Sequence, residues 1–301
     1  MPITPSLHLE PVSDDDFAII DKAVMRCAYA VHNKFGRLFD ERIYENDLAA
    51  RLRAEGFDVQ TQVPVLVTHG GFQKTYYLDL VVNHMLYELK VVASLTSGHD
   101  AQSLHYAMLQ NIRLVKLINF GEQKVRGKLL RNALVTADRH HPTLQHSALR
   151  FVTPNCERLV TYLKAIISDW GTHLASQLYS EALVDCFGGE PHCVRRVELR
   201  NGPLLLGTHR VQVHADGLAF IITSLSSDHA AYQEHLHVLL THTKLKAIQW
   251  INLNHSRVEI TTVELGNVGG EVGRRMKAEE LIADPFSCLH SSANRQKAQH
   301  L

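Results

Sequence analysis

The segment LDLVVNHMLYELKVV, residues 78–92, has the valines, leucines and tyrosine of a half-buried β-hairpin, yet it carries Asp79, Glu88 and Lys90. A two-residue loop at Asn83-His84 sets Val82 against Met85, Val81 against Leu86, Leu80 against Tyr87 and Asp79 against Glu88. Asn tolerates the left-handed backbone that such loops need. Side chains alternate along a strand, so Asp79, Glu88 and Lys90 share one face, and Leu78, Leu80, Val82, Tyr87 and Leu89 take the other. Two carboxylates opposed across a sheet repel by up to about 1 kcal/mol, and by more when buried. A divalent cation between them removes that penalty. Mg2+ takes oxygen ligands and commonly combines one or two carboxylates with water and substrate phosphate. A lysine two residues past the second acid can orient an attacking water or stabilise charge on a pentavalent phosphorus. The D-x8-E-x-K spacing therefore describes a metal-dependent phosphodiesterase site. The plainer reading is a Glu88–Lys90 surface pair with Asp79 at a strand edge.

The elements that must hold this hairpin are legible around it. Residues 14–36 have apolar residues at helical spacing, with acids at the N-terminal end. Residues 40–57 form a second amphipathic helix that stops at Gly56. Residues 58–69 alternate like a strand and are broken by Gly70-Gly71. Residues 99–113 are helical, 114–121 a short buried strand and 124–135 another extended run. Residues 1–13 read as a flexible N-terminus, and 136–147 as a linker.

The second half repeats this order. GRLFDERIYENDL (36–48) lines up with GTHLASQLYSEAL (171–183), KVVASLTS (90–97) with FIITSLSS (220–227), and LVKLINFGEQKV (114–125) with LKAIQWINLNHSRV (245–258). Three segments in register at an offset of about 130 to 135 argue for an ancient duplication. In the second copy Glu41 becomes Ser176, Glu88 and Lys90 become Leu218 and Phe220, and Asp79 falls near His209. That copy is expected to be catalytically silent. The expected organisation is a domain at 14–146, a degenerate repeat at 147–288 and a disordered tail at 289–301. Each half is α/β, a mixed sheet flanked by helices, in the order α-α-β-β-β-α-β-β.

Residues 17–130 resemble the GxxExxY proteins of the PD-(D/E)XK nuclease superfamily. The resemblance rests on ERIY (41–44), GFDVQTQVPVLV (56–67), LDLVV (78–82), ELKVV (88–92), HDAQSLHY (99–106) and LINFG (117–121). It implies a restriction-endonuclease-like fold, which the internal repeat would present as two tandem copies. It also implies a Mg2+- or Mn2+-dependent hydrolase, with Asp79 and Glu88 as metal ligands and Lys90 as the catalytic lysine. Glu41 resembles the additional acid that closes the metal shell or holds a metal-bound water. Gln102 and Tyr106 resemble the Q-x-x-x-Y element of RecB-like nucleases and lie on one helix face. His99 either caps that helix or touches the site. The first glycine of the signature is replaced by Leu38, with Gly36 two residues earlier, which loosens the placement of Glu41.

Bulk composition is compatible with this. The chain has 301 residues, 45% hydrophobic and 21% charged, with a formal net charge of zero, so any basic surface must be local. Arg113, Lys116, Lys124, Arg126, Lys128, Arg131 and Arg139 follow the proposed site with few acids between them and form the candidate patch for nucleic acid, DNA in the first instance. The five cysteines include no CxxC, and the spacing of Cys186, His192 and Cys193 does not suit zinc. The histidines around His235 and His237 read as surface residues of a helix. Neither a signal peptide nor a membrane span is evident, so a cytoplasmic protein is expected. An intramolecular pseudo-dimer of the two copies is the expected assembly. The rival function is a non-catalytic nucleic-acid- or protein-binding module that keeps the nuclease fold.

Overall fold

A computed structural model of the chain describes residues 2–265 except 135, 146, 147 and 255. The first half runs β1 (Ile3–Pro5), α1 (Asp14–Phe35), α2 (Glu41–Ala54), β2 (Val59–His69), β3 (Phe72–Val82), β4 (Met85–Lys90), α3 (Ser97–Leu109), β5 (Leu114–Asn119) and β6 (Arg126–Arg131). After α4 (Thr136–Arg139) and β7 (Thr143–Gln145), the second half runs α5 (Pro154–Trp170), α6 (Ser176–Cys186), α7 (Glu190–Cys193), β8 (Val194–Asn201), β9 (Leu204–Ala215), β10 (Leu218–Thr223), α8 (His229–Thr241), β11 (Ala247–Asn254) and β12 (Arg257–Glu264).

Local chemistry sets the main boundaries. Ser13 caps α1 by accepting the Asp16 N–H at 3.1 Å, and Asp14, Asp15 and Asp16 fill the positive first turn. Pro154 opens α5, where its missing N–H costs nothing. The β3–β4 turn has Asn83 at φ 45° and His84 at φ 67°, the left-handed pair that a tight hairpin requires.

Each half contributes one six-stranded mixed sheet. The first has the order β1-β2-β3-β4-β5-β6, antiparallel except for β4 with β5. In the second, β8-β9-β10-β11-β12 repeat those pairing senses, with β10 and β11 parallel. Helices α1 and α2 bury Phe17, Val24, Tyr44 and Leu48 against Leu80, Val82, Tyr87 and Leu89. On the other face, Val65, Leu86 and Val115 share one core with α3, α5 and α6, and through Leu163, Trp170 and Leu178 with Phe220, Ile222 and Ile251 of the second sheet. Helix α8 covers the outer face of the second sheet with Leu236 and Leu240.

Two polar stretches are more structured than their composition suggested. Residues 3–5 form an edge strand on Val65–Val67, and Leu9 is buried; Pro5 is tolerated because an edge strand pairs on one side only. Within the expected linker, Arg139 is 3% exposed, and its guanidinium donates to the carbonyl oxygens of Met108 (3.0 Å), Trp170 (2.5 Å) and Thr172 (3.1 Å). A guanidinium with five donors satisfies the orphan carbonyls at two helix ends, which explains a buried charge in an otherwise polar run. Thr143–Gln145 pairs with β12, so this segment belongs to the second sheet although it precedes residue 146. The expected tail at 289–301, Cys288 and the end of the expected repeat domain lie outside the described residues.

Candidate active site

The β3–β4 ladder pairs Val82 with Met85, Val81 with Leu86 and Leu80 with Tyr87, as the hairpin reading required, and it stops there. Asp79 and Glu88 are not a backbone ladder pair. The Asp79 carboxylate instead accepts the Leu89 N–H at 2.9 Å, which opens the two strands at this point. The cause lies in the neighbouring strand. Gln62, across from Asp79, has φ 53°, and the β2–β3 ladder skips that pair between Thr61–Leu80 and Val63–Leu78. A left-handed residue inside a strand breaks its alternation. As a result Leu78 packs in the cluster of Val81 and Leu86, not with Leu80 and Val82 as strict alternation demanded.

Lys90 sits at this opening. Its Nζ donates to Glu88 Oε1 at 2.7 Å and lies 3.9 Å from Asp79 Oδ2. Glu88 is 1% exposed, and its Oε2 has no hydrogen-bond partner. Burial, then the Asp79 charge, push the Glu88 carboxyl well above the usual range; Lys90 offsets this only in part. Burial alone would lower Lys90, but Glu88, Asp79 and Glu41 outweigh it and hold the ammonium protonated. Glu41 opens α2 and acts electrostatically on both Glu88 and Lys90. Tyr106 accepts from Gln102 Nε2 at 3.1 Å, and its hydroxyl is held neutral first by burial and then by the Glu88 charge. His99 Nδ1 accepts the Thr96 N–H at 2.9 Å, so it caps α3; burial and Lys90 lower its pKa.

The sequence reading missed one acid. Glu45, one turn after Glu41, is 2% exposed, with Oε1 2.6 Å from Arg42 and Oε2 2.7 Å from the side chain of Gln62. Burial raises it to about 7, against the pull of Gln62 and Arg42, and the charge of Asp79 adds to the rise. The signal was there: Glu45 lies on the helical stripe of Leu48 and Leu52, where an acid has no business unless it is held.

The donor set is hard oxygen, and Glu88 Oε2 is an orphaned buried acceptor, so the residues fit a divalent oxygen-loving cation. Among the described residues no three His, Cys, Asp or Glu side chains are gathered tightly enough to enclose a metal. Asp79 and Glu88 would therefore supply two ligands and leave the rest to water and substrate phosphate.

The basic residues expected to flank the site are mostly committed elsewhere. Arg113 and Arg131 both pair with Asp14 (2.8 and 3.0 Å), Lys116 with Asp21 (2.6 Å), Lys128 with Asp100 (2.6 Å) and Arg126 with Glu122 (3.8 Å). Arg139 is the buried carbonyl hub and is not at the surface. Of this group only Lys124 is exposed with no acid beside it among the described residues.

The equivalent positions in the second half shift from the sequence alignment. Asn119 sits beside Lys90 across the parallel pair, and Asn252 sits beside Thr223. Each asparagine makes the same clamp: Asn119 with Val92 (3.1 and 2.9 Å), Asn252 with Leu225 (2.8 and 3.0 Å). Lys90 thus corresponds to Thr223 and Glu88 to Ile221, not to Phe220 and Leu218. A bulge at Leu218/Ala219 changes the register of β9, and continuing the ladder one step past Phe220–Gln212 puts Val211, not His209, at the place of Asp79. Ser176 and Ser180 stand where Glu41 and Glu45 stand. The site is filled by packed apolar residues, Val211 and Ile221.

A mixed sheet that opens beside two acids and a lysine is a site suited to phosphodiester chemistry. Residues 18–131 match the PD-(D/E)XK nuclease superfamily, a stretch that includes every one of these candidate residues and ends with β6. No curated protein and no solved structure matches the chain. Among the described residues no helix is long and apolar enough to cross a membrane.

Proposed function

We propose that the first half is a Mg2+- or Mn2+-dependent nuclease of the GxxExxY type, acting on DNA, and that the second half is a catalytically silent copy of it. The observation that carries this reading is the opened hairpin, where Asp79, Glu88 and a protonated Lys90 converge and Glu88 keeps a buried, unpartnered oxygen. Asp79 and Glu88 would hold the cation, with Glu41 on a bound water. Bound there, the cation supplies Lewis-acid stabilisation and a water of lowered pKa. Lys90 stays charged and donates to the phosphate oxygens as negative charge builds on them. Gln102 orients Tyr106, which faces the same charges from α3. Water adds to phosphorus and releases one proton to the solvent, the ester P–O bond breaks, and the leaving oxygen takes a proton from the surrounding water.

Duplication is supported by contacts as well as by sequence order. Tyr44 OH donates to Gly36 O at 2.9 Å and accepts from Phe39 N at 3.2 Å; Tyr179 OH donates to Gly171 O at 2.7 Å and accepts from Leu174 N at 3.3 Å. The copies stack head to tail: the α3 face of the first sheet meets α5 and α6 of the second half. This is a heterologous contact, so the pair acts as a fused stack and lacks the two-fold symmetry of an isologous dimer.

The test is cleavage of single- and double-stranded DNA and RNA with Mg2+ or Mn2+ by wild type, Asp79→Ala and Lys90→Ala. Cutting that needs metal and is lost in both variants supports the nuclease. A folded wild type that binds nucleic acid without cutting it replaces this reading with a binding module. Equal cutting by all three proteins removes the site.

A further inference from the structure

A concentration of exposed arginines, Arg195, Arg196 and Arg210, lies on one ribbon of the second half. β8 and β9 form a ribbon in which Arg196 lies directly opposite Arg210, and Arg195 is opposite Val211. Like charges directly opposed in a ladder cost stability, so a purely structural ribbon has no reason to keep them. Arg210 has Glu190 at 2.7 Å. Arg196 donates to Thr208 Oγ1 at 3.0 Å, and Arg195 to the carbonyl oxygens of Pro191 and Val194; among the described residues neither has a carboxylate beside it. His209, paired with Val197, is exposed on the opposite face from Arg196 and Arg210. From 201 to 210 every residue is exposed, so neither face of β9 is covered there. The tip carries Pro203 and three solvent-facing leucines, Leu204, Leu205 and Leu206, at 61, 49 and 56%.

The matching hairpin of the first half is covered. Trp170 Nε1 donates to Thr68 O at 2.8 Å, His69 lies 2.6 Å from Asp169, and Phe72 packs on Trp170. The second ribbon is thus the bare member of a pair, and it is the basic one.

We propose that the β8–β9 ribbon is an arm that binds double-stranded DNA. A two-stranded β-ribbon fits a DNA groove, arginines on its flanks meet the phosphates, and an apolar tip with proline and leucine can lie against or between base pairs. A second copy of this chain is a poorer occupant for the tip. The exposed apolar corner at Leu38 and Phe39 lies between Arg37 and Asp40, and Lys34 nearby is paired with Asp47 at 3.2 Å, so it offers the arm's arginines little net charge where DNA offers a row of phosphates. The arm does not depend on hydrolysis and stands whether or not the first half cuts.

The test is fluorescence anisotropy of a short labelled duplex with the full chain in a metal chelator, over a range of salt concentrations. Arg196→Ala with Arg210→Ala should weaken binding about tenfold and lower the slope of log Kd against log salt by about two, one per lost phosphate contact. Leu205→Ala should weaken duplex binding and leave the salt slope unchanged. Lys124→Ala, in the first half, serves as the reference for a single exposed cation. Unchanged affinity and slope in the folded double variant overturn the arm, as does a preference for single strands. Sedimentation that shows the leucine variant abolishing self-association, with duplex binding intact, assigns the tip to another copy and also overturns it. Cutting assays on the same variants separate the two ideas: loss of duplex affinity without any wild-type cutting keeps the arm and removes the nuclease.

Discussion

In the first half the hairpin β3–β4 parts at Asp79 and Glu88, and Lys90 fills the gap; in the second, the equivalent positions are Val211, Ile221 and Thr223, closed into a core with Leu236 and Trp250. Both halves keep the tyrosine-to-glycine bond that seats the second helix and the asparagine clamp at the end of the parallel pair. What both need for folding is uncharged and hydrogen-bonded. What only one has is a set of ionisable groups whose burial costs stability. Replacing buried charged groups of this kind by apolar ones is commonly neutral or stabilising, so the second sheet folds without them.

The strongest test of the contrast between covered and bare hairpins is Trp170→Ala. It should cost about 3–5 kcal/mol in chemical denaturation, because Trp170 is wholly buried where the first hairpin meets the second half. Leu205→Ala, at the bare tip, should change stability by no more than about 0.5 kcal/mol. Comparable losses would mean that the two hairpins are held alike. For chemistry, Lys90→Ala should lower cutting by about 10²–10³-fold, while Thr223→Ala leaves it unchanged; any loss in the second variant would give the second half a part in catalysis.

Glu45 should reveal itself through pH. Its folded carboxyl titrates near 7 and its ordinary value is 4.5, so the folded protein holds a proton that the unfolded chain has released between those values. Stability should therefore fall as pH rises from about 4.5 to about 7, by on the order of 3 kcal/mol from this group. Glu45→Gln should flatten that slope, whereas Ser180→Ala, at its counterpart, should leave it in place. Divalent metal offers an activity-free check. At a hundredfold excess over its Kd it should stabilise wild type by about 2.7 kcal/mol and Asp79→Ala by much less. One pair of effects should be alike: Tyr44→Phe and Tyr179→Phe each remove a hydroxyl that makes two hydrogen bonds, about 2 kcal/mol per variant. A marked inequality would argue against equivalent roles.

Much of the site could be read in one dimension because it is local. Asn83-His84 fixes the turn, and the turn fixes which residues of 80–87 face each other. Gln102 and Tyr106 meet because they are four apart on a helix. Glu45 was legible in principle, as an acid on an apolar stripe, but spacing alone cannot tell a buried carboxyl from a solvated one. The kink at Gln62 left no mark, since glutamine is not a residue type that signals a left-handed backbone, and with it went the placement of Leu78. The basic run after the site misled because Asp14, Asp21 and Asp100, which neutralise it, are distant in sequence. Arg139 misled for the same reason: its carbonyl partners come from α3, the end of α5 and the residue after its glycine cap.

The sequence by itself determined the order of elements, the hairpin register and the identity of the charged triplet, since each depends on residues within a few positions of one another. Only the tertiary structure decided that the strands open at Asp79, that the two halves share a core head to tail, and which arginines remain without acids. Those depend on through-space partners, and a charge has no fixed meaning until the groups around it, and the water excluded from it, are in place.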